Sequence, residues 1–279
     1  LVGSEMCIRD SSYSVRLTDE KLGWLRKDLA TVDKQTPVFV GMHVPLHKTP
    51  TLDDTGRTTT SYNMEDAERF VECLEGYDVN ILTGHTHYNF NITKSERLRE
   101  HNIAAVCATW WWTGHTDYAG NHICRDGSPG GYKIFEATGS DVRWYYKSIG
   151  KDAGYQFRTY DLNECLLEKS DFCPSASDSD FAKYAFGYDR ANDNNEVLIN
   201  VFDWADDWKI EVTDLSDDSS LAVQRVRTHD PLHVISYNMR KLDKKSAMTF
   251  PTSYSAHMFK VKARTCLLYT SPSPRDMRR

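Results

Sequence analysis

Three histidines carry the most specific chemistry in this chain: His43, His85 and His87. Neutral imidazole is a common ligand for zinc, iron and manganese. His85 and His87 sit in Gly84-His85-Thr86-His87, directly behind the apolar run 79–83, and His43 follows a second apolar run, 37–42. Imidazoles delivered at the ends of two such runs read as part of a metal site. The plainer alternative gives His43 a backbone carbonyl partner and makes the His-Thr-His turn merely polar. The glycine before the doublet and the matching strand-end position of His43 favour ligation.

The elements that must position these residues read as α/β. Leu17-Thr18-Asp19-Glu20 opens a helix with acids near its positive end, and Leu22, Trp24, Leu25 and Leu29 form its apolar stripe. The run 37–42 is a strand, followed by a polar loop over about 44–62. Asn63 is placed to cap a second helix with Asp66 in its first turn, and Gly76 stops it. Strand 79–83 then leads into the His-Thr-His loop. Helix–strand–helix–strand order predicts a sheet whose loops at the strand carboxyl ends gather ligands.

Downstream the pattern becomes β-rich. Residues 90–92, 103–108, 132–136 and 142–146 read as strands, the last two joined by a turn at Gly139-Ser140. Residues 151–195 are polar and weakly periodic and read as linker, with a short strand at 157–160. Short strands at 197–202, 208–212, 221–226, 234–237 and 258–261 predict a small all-β, sandwich-like domain over 196–265. The two ends stand apart. One DNA duplex, translated on opposite strands, can encode both LVGSEMCIRD and CLLYTSPSPR. Residues 1–11 and 266–279 are therefore expected to be translated sequencing-adapter sequence, leaving both natural termini and any signal peptide out of view.

Other His-x-His chemistries do not match. A metallo-β-lactamase pattern needs Asp and His where Asn89 and Phe90 stand, and a cupin needs an acid within 88–95, where none occurs. The arrangement resembles the C-terminal part of a calcineurin-like metallophosphoesterase over about 17–150. In that family an isolated histidine precedes a GHxH motif; here these are His43 in GMHVP and Gly84-His85-Thr86-His87. The wider layout, including Asp126–Tyr132 and the trailing β region, is similar to a bacterial, often exported subgroup. The resemblance implies a C-terminal half of the phosphoesterase α/β sandwich over 12–150. It implies two divalent ions (Mn, Fe or Zn), His43 and His85 on one and His87 on the other. It also implies hydrolysis of a small phosphorylated substrate by a metal-activated hydroxide. The family's carboxylate motifs, D-x-H, GDxxD and GNHD or GNHE, do not occur upstream of His43. Two dications about 3.5–4 Å apart repel by on the order of 20 kcal/mol at an effective dielectric near 20. Neutral imidazoles do not offset that, so the chain as it stands is expected to be inactive. The alternative is a degenerate phosphoesterase core that binds a glycan or a partner.

Composition excludes several classes. The 40% hydrophobic content supports a packed core, and a formal charge of −6 argues against a nucleic-acid partner. No apolar stretch reaches the roughly 20 residues of a membrane span. Trp110-Trp111-Trp112 and the loop carrying His115, His122 and Asp126 are candidates for a substrate wall, with His115 and Asp126 as its binding residues. His47 is a weaker candidate for substrate contact. His101, His229, His233 and His257 lack ligand spacing and read as structural, and Trp204 and Trp208 as packing. Cys165 and Cys173 are close enough in sequence for a disulfide, but two free thiols fit equally well.

Overall fold

In a computed structural model of the chain, the residues described are 16–113 and 120–264. The two end segments read as adapter sequence, and His115, lie outside them.

Helix α1 (Asp19–Leu29) begins at Thr18, whose hydroxyl accepts from the Lys21 amide, and carries Asp19 and Glu20 at its start and Arg26 and Lys27 at its end. Leu22, Leu25 and Leu29 are its buried face, but Trp24 is 44% exposed rather than part of the stripe. Strand β1 (Pro37–Gly41) follows. A loop then forms a two-residue ladder, β2 (Thr51–Leu52) with β3 (Thr58–Thr59). Helix α2 (Ala67–Cys73) is shorter than expected: Asp66 precedes it without a side-chain cap, and the Asn63 amide donates to the Pro45 carbonyl instead. Gly76, at φ +81°, ends the segment as the sequence suggests.

Strand β4 (Asp78–Thr83) lies parallel to β1 with Val38 opposite Val79. Strands β5 (Phe90–Ser95) and β6 (Leu98–Asn102) complete a four-stranded sheet in the order β1-β4-β6-β5, with β6 parallel to β4 and antiparallel to β5. Leu22, Leu25, Leu29, Phe70, Val79 and Ile81 build the core beneath it. The expected strand at 103–108 is absent. Pairing falls instead on Leu98–Asn102, and the chain beyond bends through a series of turns with Ala108, Trp110 and Trp111 at positive φ.

Strands β7 (Gly131–Thr138) and β8 (Asp141–Ser148) are the expected hairpin, turned at Gly139 with φ +62°. Residues 151–195 are not a bare connector. Strand β9 (Phe157–Asp161) pairs with β10 (Glu196–Val201). Between them lie α3 (Lys169–Phe172) and α4 (Asp178–Ala185), capped by Ser177. Tyr160, Cys165, Leu167, Cys173 and Ala185 enter a core shared with Leu198 and Leu232. Both cysteines are free thiols.

The C-terminal region mixes helix and sheet rather than forming an all-β sandwich. A two-residue ladder, β11 (Thr213–Asp214) with β12 (Ser219–Ser220), is followed by β13 (Val223–Thr228). The expected strands at 208–212 and 234–237 are absent. Asp230 caps a helical turn, α5 (Pro231–His233), accepting from the His233 amide. The helix widens into a π-helix over Val234–Met239 and closes as α6 (Arg240–Asp243). Pro231 at the first turn behind an Asp cap explains why this apolar run coils rather than extends. Strand β14 (Ser255–Lys262) completes a sheet in the order β13-β14-β10-β9.

Candidate metal centre

Parallel pairing places the carboxyl ends of β1 and β4 side by side. The ladder continues past the strands through the Met42 amide to the Leu82 carbonyl at 2.9 Å and the Gly84 amide to the His43 carbonyl at 3.1 Å. The two histidine loops are thereby tied together at the backbone. His43 Nε2 and His85 Nδ1 stand 3.2 Å apart, their rings edge-on at 82°. Two imidazole nitrogens bound to one ion at about 2.1 Å stand about 3.0–3.4 Å apart, from octahedral to tetrahedral geometry. The observed gap fits two ligands of a single ion. Without an ion, the same gap accommodates one N–H···N bond. Burial, followed by the neighbouring His43 and His87, lowers the pKa of His85 and favours the neutral form that ligates.

His87 is oriented separately. Its Nδ1 lies 2.7 Å from the Ala108 carbonyl, so it carries the proton and donates, leaving Nε2 with a free lone pair. Its ring stacks on Trp110, with centroids 4.0 Å apart, and Trp110 stacks in turn on Phe250 at 3.9 Å. His85 (φ 67°) and His87 (φ 59°) both have left-handed backbones. For non-glycine residues this conformation is costly and clusters at functional loops.

The donor set is incomplete: among the described residues no three His, Cys, Asp or Glu side chains are grouped to hold a metal ion. Asp126, named from the sequence as a substrate contact, is buried. Its carboxylate accepts from the Asn89 amide (2.9 Å) and from the Ser128 amide and hydroxyl, and lies 3.0 Å from His257 Nε2. Through Asn89 it anchors the end of the His-Thr-His loop. His47 is buried against Glu100, Nδ1 to Oε2 at 2.6 Å. His101, His229, His233 and His257 are also buried.

Sequence reasoning missed Glu100. Its Oε1 accepts from the Leu46 amide at 2.7 Å and its Oε2 from the His47 amide at 3.1 Å, which fixes the chain just beyond His43. An isolated Glu within a polar stretch gives no signal of such a role. Thr109 was missed too; its hydroxyl lies 3.0 Å from His233 Nε2 and holds the His87-supporting loop against the C-terminal helix.

A parallel β–α–β unit with imidazoles at its strand ends, tied to a C-terminal sheet, defines a mixed α/β protein. The sequence matches the C terminal of Calcineurin-like phosphoesterase over residues 100–271, more than half of the chain. The chain belongs to the calcineurin-like phosphoesterase family. No curated protein matches it. The matched span lies further along the chain than the resemblance over 17–150: it takes in the hairpin and the C-terminal sheet, while His43, His85 and His87 precede it. Among the described residues no helix is long and apolar enough to cross a membrane.

Proposed function

We propose that the protein from which this chain derives is a metal-dependent phosphoester hydrolase, with His43 and His85 as two ligands of one ion and His87 as a ligand of a second. The observation that carries this reading is the 3.2 Å approach of His43 Nε2 to His85 Nδ1 at adjacent strand ends. A divalent ion bound there would polarise a phosphoryl oxygen and acidify a water molecule. The chain's own residues aim the imidazoles: the Ala108 carbonyl fixes the His87 tautomer, and Glu100 and Asp126 brace the two loops. The carboxylates that must bridge and neutralise two dications are not grouped with these histidines among the described residues, so this chain is proposed to lack phosphatase activity. The family resemblance also favours export.

The test has two parts. Sequencing the source DNA upstream of the Ser12 codon should reveal D-x-H, GDxxD and GNHD or GNHE in frame. Purified protein spanning the described residues should not hydrolyse an aryl phosphate with Mn, Fe or Zn ions, whereas the extended protein should. Substantial metal-dependent turnover by the shorter protein overturns the inactivity. An open frame without those carboxylates overturns the enzyme reading and leaves a binding protein on a phosphoesterase core.

A further inference from the structure

The C-terminal helix and the tryptophan turn enclose a cleft of about 270 Å³ lined by Trp111, Trp112, Tyr237, Arg240, Lys241 and Lys244, together with two serines. Among the described residues no acid lines it, although the whole chain carries a formal charge of −6. Lys241 Nζ rests 4.5 Å from the Trp112 ring centre and 5.5 Å from that of Tyr237. The Arg240 guanidinium donates to the Trp112 carbonyl at 3.3 Å, so it stands at the same wall. Trp111 and Trp112 are 58% and 44% exposed, large flat faces left open to solvent.

Two further observations point to a ligand. Ser236 lines the cleft, is fully buried, and its hydroxyl has no hydrogen-bond partner among the described residues. A buried hydroxyl without a partner costs free energy that a bound acceptor would recover. Ser236 and Tyr237 also belong to the π-helical segment Val234–Met239, a widened turn that recurs at functional sites. The cleft adjoins the histidines: Trp112 lies 6.2 Å from Trp110, which stacks on His87.

We propose that this cleft is a substrate subsite that holds the organic part of an anionic phosphate compound, one with a flat ring next to a second negative group. The proposal rests on the phosphoester reading above. The cations supply charge-assisted bonds to the anion, and the tryptophan faces stack on the ring. A polar site of this kind discriminates by requiring both features together.

Tryptophan fluorescence of the full chain, without added metal, should be titrated with a nucleoside diphosphate, inorganic pyrophosphate and the uncharged nucleoside. The expected result is saturable quenching by the nucleoside diphosphate, at least tenfold tighter than by either control. The double variant Lys241→Ala/Lys244→Ala should weaken it at least tenfold while unfolding at the parent temperature. Binding no tighter than that of pyrophosphate would reduce the cleft to a simple anion patch and overturn the proposal, as would unchanged affinity in the double variant. Because no metal is present, the result is separate from hydrolysis. Hydrolysis by the extended protein without cleft binding defeats the subsite alone, and cleft binding without hydrolysis defeats the phosphoester reading alone.

Discussion

At the scale of single residues, the metal reading depends on nitrogen lone pairs, and these can be removed one at a time. His43→Ala and His85→Ala should each abolish the zinc or cobalt binding that the pair supports, measured by calorimetric titration. His257→Ala, at a buried histidine bonded to Asp126, should leave it within about threefold. Equal losses in all three variants would mean that the titration reports folding rather than ligation. His87 offers a subtler test, because Trp110 presses its ring from one face while the Ala108 carbonyl holds its edge. Groups that orient a ligand typically contribute 10–100-fold to metal affinity. Trp110→Ala should therefore lower metal affinity in the extended enzyme by about tenfold or more. Trp24→Ala, on the exposed face of α1, should not change it.

At the scale of elements, Glu100 shows how a strand secures a loop it is not part of. From β6 it reaches the Leu46 and His47 amides and the His47 ring, all buried. Glu100→Ala leaves two amides without acceptors, a loss of about 2–4 kcal/mol at typical values for buried polar groups. Chemical denaturation should show that loss, and metal affinity should fall with it because His43 lies three residues before Leu46. The same residue explains what the sequence concealed. The pair β1 and β4 was legible because its apolar runs and the following histidines obey simple rules. Strand β6 was not, because Glu100, His101 and Asn102 are buried polar residues whose partners lie elsewhere in the chain. Periodicity therefore shifted the strand onto the apolar run 103–108, which the structure uses as turns. The apolar 234–237 run misled for the opposite reason: its Asp230-Pro231 start signals a helix, yet the run itself reads as a strand. Within the expected linker 151–195, residues 161–185 looked irregular because their apolar positions are sparse, although Cys165, Leu167, Cys173 and Ala185 are buried. Of the candidate site, the three histidines were legible. The supports at Glu100, Ala108, Trp110 and Thr109 arise from tertiary contacts that no local spacing encodes.

At the scale of the whole molecule, the histidine-bearing sheet and the C-terminal sheet are locked by buried polar networks rather than by one continuous apolar core. Lys133 Nζ meets Asp203 Oδ1 at 2.7 Å with both side chains fully buried, and Asn91 donates to the same carboxylate. His101 closes that network between Lys133 and Asn80. A second network centres on Asp230, which accepts from Tyr160 and Asn200 and lies against Gly127. Gly127 has φ +83°, and a Cβ there would come within 2.0 Å of the Asp230 carboxyl carbon. Such networks are sensitive to acid. Burial, reinforced by Lys133 and Arg99, holds His101 at a pKa of about 2, and burial with Arg125 holds His233 at about 3. Both values lie below the unfolded value near 6.5, so between these limits the unfolded chain binds more protons than the folded one. Stability from these groups is then complete above about pH 6.5 and declines as the pH falls, by up to about 1.4 kcal/mol per pH unit for each histidine. The two together should cost roughly 3 kcal/mol between pH 6.5 and 5, and His229, held at about 4 chiefly by burial, adds to the loss. Urea midpoints at pH 7.5 and 5.0 measure this directly. His101→Asn/His233→Asn should flatten the dependence even where it lowers stability at neutral pH. A double variant that retains the full acid slope would show that carboxylates, not these histidines, govern how the two halves come apart.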